Sequence, residues 1–410
     1  MWGSISKGEL ASGCNDRATL LLDHCLRGEP WPPELLRSLT TDECSPALFR
    51  IVAEGLADRF EPALSDIYAE LFAEAIAPGN SAALVDRYRR VRVPRPIAGA
   101  PRTIFVLSRV TLGADVAVSS VILDAAKRRF PEADLYLAGP RKNWELFAAD
   151  PRILHLPINY PRGTLRERLA AGLELPAALA APDSMVVDPD SRLTQLGLLP
   201  VCPEESYRFF ESRAYGGNGD DPLPVLARQW AERIFGIPDA RPFVAVPPAA
   251  RPTPPGIAIS LGVGENPRKR IADPFEAELL RLLAQTGLPL TLDQGGGGEE
   301  AARVQRAIAA SGAPVECWSG SFAGFAAIIA RSRFYVGYDS AGQHVAAACG
   351  VPLIAVFAGF SSARMLARWR PAGQVIRVDD PDPARVLEQV RLTLPEMLKS
   401  RPRSYSDRAE

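Results

Sequence analysis

Histidine is scarce in this chain: three occur in 410 residues, at positions 24, 155 and 344. A metal centre built on imidazoles is therefore not expected, and neither a metal nor an organic cofactor is implied. The six cysteines (14, 25, 44, 202, 317 and 349) form no C-x-x-C pair, which predicts free thiols in a reducing cytoplasmic setting. A surplus of one charge is lacking too. With 47 basic and 48 acidic residues, nothing suggests a surface for polyanions, and nucleic acid is not an expected partner. No apolar run reaches membrane-spanning length and no signal-type apolar segment opens the sequence, so neither secretion nor insertion is expected. Peripheral contact with the inner face of a membrane stays compatible with the composition. The Gly-rich stretch 215–222 is followed by no Lys or Ser/Thr, which excludes a P-loop there.

What the sequence does contain divides it. Residues 1–95 show helical spacing, with Leu48, Ile51, Val52 and Leu56 on one stripe and Leu64, Ile67, Tyr68, Leu71 and Phe72 on another. Ser45-Pro46 reads as a helix start, and Pro78 to Ser81 as a break before a further helix. An accessory or docking module is one reading of this region, and a packing appendage is the other. The proline-rich Pro94–Pro101 is a linker. Strands then alternate with helices, which predicts two α/β units, at 96–245 and 246–382, before a terminal helix and tail at 383–410. Expected strands include Thr103–Leu107, 134–137, 153–156, 184–187, 256–261, 288–292, 315–317, 334–336 and Leu353–Phe357.

The most informative stretch is Phe334 to Gly359. Its apolar run breaks at Gly337 and opens onto Asp339, Ser340, Ala341 and Gly342, and a small-residue helix then runs to Cys349. Gly350 and Pro352 end that helix before a second buried strand. A small-residue turn at this place in an open parallel sheet, with helix amides exposed at its start, suits a diphosphate. The pattern Asp-Ser-x-x-x-His followed by Ala-Ala-Ala-x-Gly-x-Pro resembles the donor-site signature of the heptosyltransferase-like glycosyltransferases of family 9. Ala341 stands where that family has Gly. A second match lies at Arg109-Val-Thr-Leu-Gly-Ala-Asp115, followed by a helix containing Lys127 and ending at Phe130-Pro131. Ala114 here replaces the family's other Gly.

The resemblance implies a GT-B fold: two Rossmann-like domains facing a crevice, here with an extra N-terminal all-helical module. It implies an inverting, metal-independent transfer of heptose or a related sugar from an ADP-type donor to a glycan, lipid-linked or protein acceptor. Asp115 would be the general base, although a carboxylate at a helix start also serves as a cap. Lys269, between Arg268 and Arg270, would meet the diphosphate, or else belong to a solvated basic turn. Glu299 would bind the ribose, or else only complement a helix dipole. Gly320 and Phe322 would seat the base, and Asp339, Ser340, Ala341, Gly342 and His344 the diphosphate-sugar. Arg109 belongs to the matching first-half pattern. With Asp188, Arg192 and Gln195, from a loop after a predicted strand, it is a candidate for gripping the acceptor, though turn solvation explains that loop's three equally well. Two other classes fit the same fold, a nucleotide-sugar epimerase and a degenerate nucleotide-sugar-binding scaffold. A panel of nucleotide sugars scored for binding and turnover separates them.

Overall fold

The computed structural model describes residues 7–247, 255–264 and 266–400. Residues 248–254 and the part of the expected tail beyond residue 400 lie outside the described residues.

The helical N-terminal region folds as Lys7–Arg27, Pro33–Leu39, a run from Ser45 to Ala57, Pro62–Ile76 and Ala82–Val91. Within the third, Leu48–Ala53 is a widened π turn. Cys44, not Ser45, precedes that run, and the Ser45 hydroxyl instead accepts from the Leu165 amide at 3.0 Å. Leu64, Tyr68, Leu71 and Phe72 are buried on one face, with Tyr68 and Phe72 stacked at 4.4 Å between ring centroids. One expectation is overturned here: Cys14 and Cys44 form a disulfide. They are 30 residues apart and meet only because two helices pack, which spacing along the chain does not reveal.

Two parallel sheets follow. The first contains β1 (Thr103–Leu107), β2 (Asp134–Gly139), β3 (Ile153–Pro157), β4 (Ser184–Asp188) and β5 (Tyr207–Phe209), in the order β3-β2-β1-β4-β5. The second contains β6 (Ile257–Ser260), β7 (Leu290–Asp293), β8 (Val315–Trp318), β9 (Phe334–Tyr338), β10 (Leu353–Phe357) and β11 (Gln374–Arg377), in the order β11-β10-β9-β6-β7-β8. Strand order reverses between β1 and β4 in one sheet and between β6 and β9 in the other. Ligands of open α/β sheets bind at the carboxyl ends of such strand pairs. The short edge strands β5 and β11 are the two that the sequence pattern missed.

Strand alternation decides what covers the first sheet. Ile104 and Val106 pack on one face with the helices Ser120–Arg129 and Leu223–Phe235. Phe105 and Leu107 point the other way, into a core completed by Leu48, Leu56, Phe72 and Tyr88 of the N-terminal helices. The helical region and the first α/β unit therefore share one core, and the linker near residue 95 crosses between them without dividing it. On the second sheet, the final helix Pro383–Lys399 buries Val386, Val390, Leu394 and Met397. Among the described residues no helix is long and apolar enough to cross a membrane.

Candidate functional site

The carboxyl ends of β1 and β9 face each other. After β1 the chain runs through Ser108, Arg109 and Val110 into the short helix Leu112–Ala114. Val110 has φ +58°, a conformation that strains a β-branched residue. Asp115 holds this loop. Its Oδ1 accepts from the Arg109 amide at 2.7 Å and Ser119 Oγ at 2.6 Å. Its Oδ2 accepts from Ser108 Oγ and Asn143 Nδ2, both at 2.6 Å. Ser108 Oγ in turn accepts from the Val110 amide at 2.9 Å. The Asp115 side chain is fully buried and its in-plane lone pairs are all occupied. Burial pushes its carboxyl up, and the hydrogen bonds from Ser108, Ser119, Arg109 and Asn143 work against that.

Across the gap, β9 leads through Asp339 and Ser340 into the helix Ala341–Ala348. The Ser340 side chain makes no capping bond to that helix. Lys269, carried by the turn Pro267–Lys269 after β6, places Nζ 2.6 Å from Asp339 Oδ2. The other Asp339 oxygen accepts from Gln343 Nε2 at 2.6 Å. His344 is buried beside this group and lies edge-on to Trp369, with centroids 5.7 Å apart. Burial holds its pKa down at about 4, with Asp339 opposing and Lys269 assisting, so the ring is neutral at pH 7.

The two halves touch here. A Cβ on Gly113 would lie 2.9 Å from His344 Cδ2 and 3.2 Å from Ala341 Cα. Only a glycine permits that approach, and the methyl of Ala341 is accommodated opposite a residue without a side chain. Arg109 completes the contact from the first half. Its guanidinium stands 5.9 Å from the centre of the Trp369 ring and donates to the Pro189 carbonyl at 2.5 Å and Ser212 Oγ at 2.7 Å.

The other expected positions are distributed unevenly. Gly320 is exposed and Phe322 partly buried beside the Trp318 turn after β8, while Glu299 is exposed in the first turn of the helix Gly298–Ser311. These line the β7 and β8 side of the same sheet edge. Asp188 and Gln195 do not face a crevice. Asp188 is buried and accepts from the Ser191 amide, Thr194 Oγ1 and Tyr207 OH, so it organises its own turn. Gln195 is buried at φ +50°. Arg192 is partly exposed and turns toward the helical region, 3.6 Å from Glu54. Among the described residues no three His, Cys, Asp or Glu side chains gather as metal ligands would.

Several residues at this junction carried no motif. Trp369 and Arg364 lie on the helix Ala363–Trp369 after β10. Arg364 donates to the Phe60 carbonyl at 3.3 Å, and Phe60 packs edge-on to Trp369 at 6.1 Å. Arg368 is fully buried and donates to the Gly217 and Asp221 carbonyls of the first half, both at 3.0 Å. A cleft of about 630 Å³ opens beside them, lined in part by Glu61, Asn218 and Arg364. The Ser362 cap ahead of the Arg-rich run was the available signal for this helix.

Residues 255–389 match glycosyltransferase family 9 (heptosyltransferase). No curated protein matches the chain in sequence. Among solved structures, the glycosyl transferase family 9 protein from Veillonella parvula is 15% identical with a TM-score of 0.56, over 74% of this chain and 99% of that one. E. coli ADP-heptose LPS heptosyltransferase II is 19% identical with a TM-score of 0.51, over 72% and 99%. E. coli heptosyltransferase WaaC, solved with ADP, is 16% identical with a TM-score of 0.54, over the same shares. The second α/β unit is thus a glycosyltransferase family 9 domain, and with the first it makes up the two-domain GT-B fold of these glycosyltransferases.

Proposed function

We propose that this glycosyltransferase moves a heptose or related sugar from an ADP-type nucleotide donor to a hydroxyl of a glycan, lipid-linked or protein acceptor, inverting the anomeric centre without a metal. The observation that carries this is the grouping of Lys269, Asp339 and His344 at the uncapped start of the helix Ala341–Ala348, on the strand pair where the sheet order reverses. In this reading the helix amides and Lys269 bind the diphosphate and stabilise the charge that grows on it as the sugar leaves. Neutral His344 offers a hydrogen bond without adding charge. Glu299 serves the ribose, and Gly320 and Phe322 the base. The E. coli WaaC structures with ADP and with ADP-2-deoxy-2-fluoro heptose support an ADP-type donor.

Asp115 fixes the β1 loop against the donor helix. A proton-accepting role for it would require one of its four hydrogen-bonding partners to leave. Calorimetry with a panel of nucleoside diphosphates, followed by assay of diphosphate release from the matching nucleotide sugars, tests the function. Tight ADP binding with release of ADP from ADP-heptose is expected. Binding without turnover under any acceptor condition would instead make the protein a nucleotide-sugar-binding scaffold.

A further inference from the structure

We infer that Asn143 is a specificity residue for the transfer: its amide occupies the place on Asp115 that the acceptor hydroxyl takes, and so keeps water off that carboxylate until an acceptor arrives. This role rests on the transferase reading above, with Asp115 as the proton acceptor. In the step, the acceptor oxygen bonds to the anomeric carbon while the bond from that carbon to the diphosphate oxygen breaks. The electron pair of the broken bond leaves with the nucleoside diphosphate, and the hydroxyl proton passes to Asp115. A hydroxyl reaches that carboxylate only where a present donor yields, and the four donors are not alike.

Three of the four belong to the loop and helix that Asp115 itself anchors. The Arg109 donor is a backbone amide, Ser108 Oγ also accepts from the Val110 amide and so holds the turn at positive φ, and Ser119 lies one helical turn beyond Asp115. Asn143 alone comes from another segment, the short helix Arg141–Trp144 after β2. β2 pairs with β1, and a side chain on Gly139 at its end would collide with Ser108, so a glycine there lets the two strand ends close up. On its far side the helix is fixed by Trp144, whose indole N–H donates to the Ile153 carbonyl at 3.0 Å and whose ring stacks on His155 with centroids 4.9 Å apart. Asn143 is thereby held against Asp115. The two residues before it, Arg141 and Lys142, are exposed, so solvent comes within one residue of it.

The Asn143 side chain is also left half satisfied. Nδ2 donates to Asp115 Oδ2 at 2.6 Å, but Oδ1, in a fully buried residue, takes no hydrogen bond among the described residues. A buried acceptor without a donor is uncommon, and here it marks a place where a ligand hydroxyl can be received. A polyhydroxylated acceptor answers both ends of the exchange: one hydroxyl donates to Asp115 Oδ2 and a neighbouring one to Asn143 Oδ1. Contacts along the rest of the sugar supply the binding energy that displaces the amide, and a single water molecule has none to spend. Asn143 thereby selects a sugar hydroxyl over water.

The test uses the full chain with Asn143→Ala, Asn143→Ser and the double variant Asn143→Ala, Asp115→Asn. ADP binding is measured by calorimetry, melting by circular dichroism, and release of ADP from ADP-heptose is followed with water as the sole acceptor. Each single variant withdraws the amide and opens a lone pair of Asp115 Oδ2 to water. It should bind ADP as the parent does and hydrolyse ADP-heptose about 10–100-fold faster, the factor by which one charged hydrogen bond holds water off. The double variant should lose that gain, because the water then has no base. Hydrolysis at or below the parental rate in the single variants would overturn the role, as would a gain that survives Asp115→Asn. Loss of a cooperative melting transition in both single variants would make Asn143 a structural support and overturn it too. A parent that fails to bind ADP would instead retire the transferase reading, and the role with it.

Discussion

Lys269 Nζ lies 2.6 Å from one carboxylate oxygen of Asp339 and 3.2 Å from the backbone carbonyl of the same residue. The ammonium is thereby aimed at the start of the helix Ala341–Ala348 with its charge partly offset. A diphosphate bound there gains Lys269 and meets the negative Asp339 beside it.

This gives opposite expectations for the two partners. Lys269→Ala should weaken ADP binding about 10–100-fold, the loss expected of a charged hydrogen bond worth about 1.5–3 kcal/mol. Asp339→Asn lifts a negative charge from beside the phosphates and should bind ADP at least as tightly as the parent. Calorimetry over a salt series checks both, and equal affinity of Lys269→Ala and parent at every salt would remove Lys269 from the site.

Gly113→Val should separate the halves at their contact. A Cβ there already falls 2.9 Å from His344 Cδ2, and the branched side chain has no room to turn away from the Ala341 backbone. Overpacking of this kind costs about 1–3 kcal/mol. The melting temperature should fall by several degrees and ADP release from ADP-heptose should slow. A variant that melts and turns over like the parent would show that the contact is dispensable.

A chain beginning near Arg95 should aggregate. It would uncover Phe105, Leu107, Val186, Tyr207 and Phe209 on one face of the first sheet, a core that the helical region completes. Full burial of such side chains is worth about 1.5–3 kcal/mol each. A soluble, monomeric truncation that still binds ADP would contradict the shared core.

Asp115→Ala should be among the more destabilising single substitutions in the molecule. It strands the buried amide of Asn143 and the Arg109 N–H, each an unmet donor costing about 1–3 kcal/mol, and releases the loop that holds Val110 at positive φ. Denaturant titration should show a loss of several kcal/mol. Parental stability would mean that the four bonds contribute little.

Asp58, the residue after the helix Glu54–Ala57, also makes a prediction about stability. Its folded pKa of about 6 lies above its ordinary value of 3.8, so the folded state binds the extra proton. The favourable contribution is complete below about pH 4 and is lost as pH rises through about 6. Asp58→Asn should therefore melt higher than the parent at pH 7.5, with the gap closing towards pH 4. His344 runs the other way: its pKa is depressed from 6.5 to about 4, so its contribution is present above 6.5 and disappears as pH falls towards 4. A pH series of melting curves on the parent, Asp58→Asn and His344→Gln separates the two.

Much of the architecture was legible because period and punctuation carry it. Thr103–Leu107 and Leu353–Phe357 are apolar runs bounded by breakers, and both form strands over those residues. The grouping of Lys269, Asp339 and His344 was legible for a related reason, since they sit at strand ends fixed by short local segments. Asp188 and Gln195 were not, because a loop position says nothing of which way a side chain turns. Asp188 turned inward to satisfy its own backbone and neighbouring hydroxyls. Phe60 and Trp369 escaped entirely: they pack together although 309 positions apart, and no local pattern encodes an encounter of that range. The Cys14–Cys44 bond was hidden in the same way.

Arg368 brings a full positive charge into the interior, where backbone carbonyls of the first half receive it. Pulling that side chain free would strand an ion away from water. The helix Ala363–Trp369 therefore ties the second half to the first through a buried charge. Parting the halves at this edge would leave that charge unanswered, so the Arg368 anchor is a costly place to separate them.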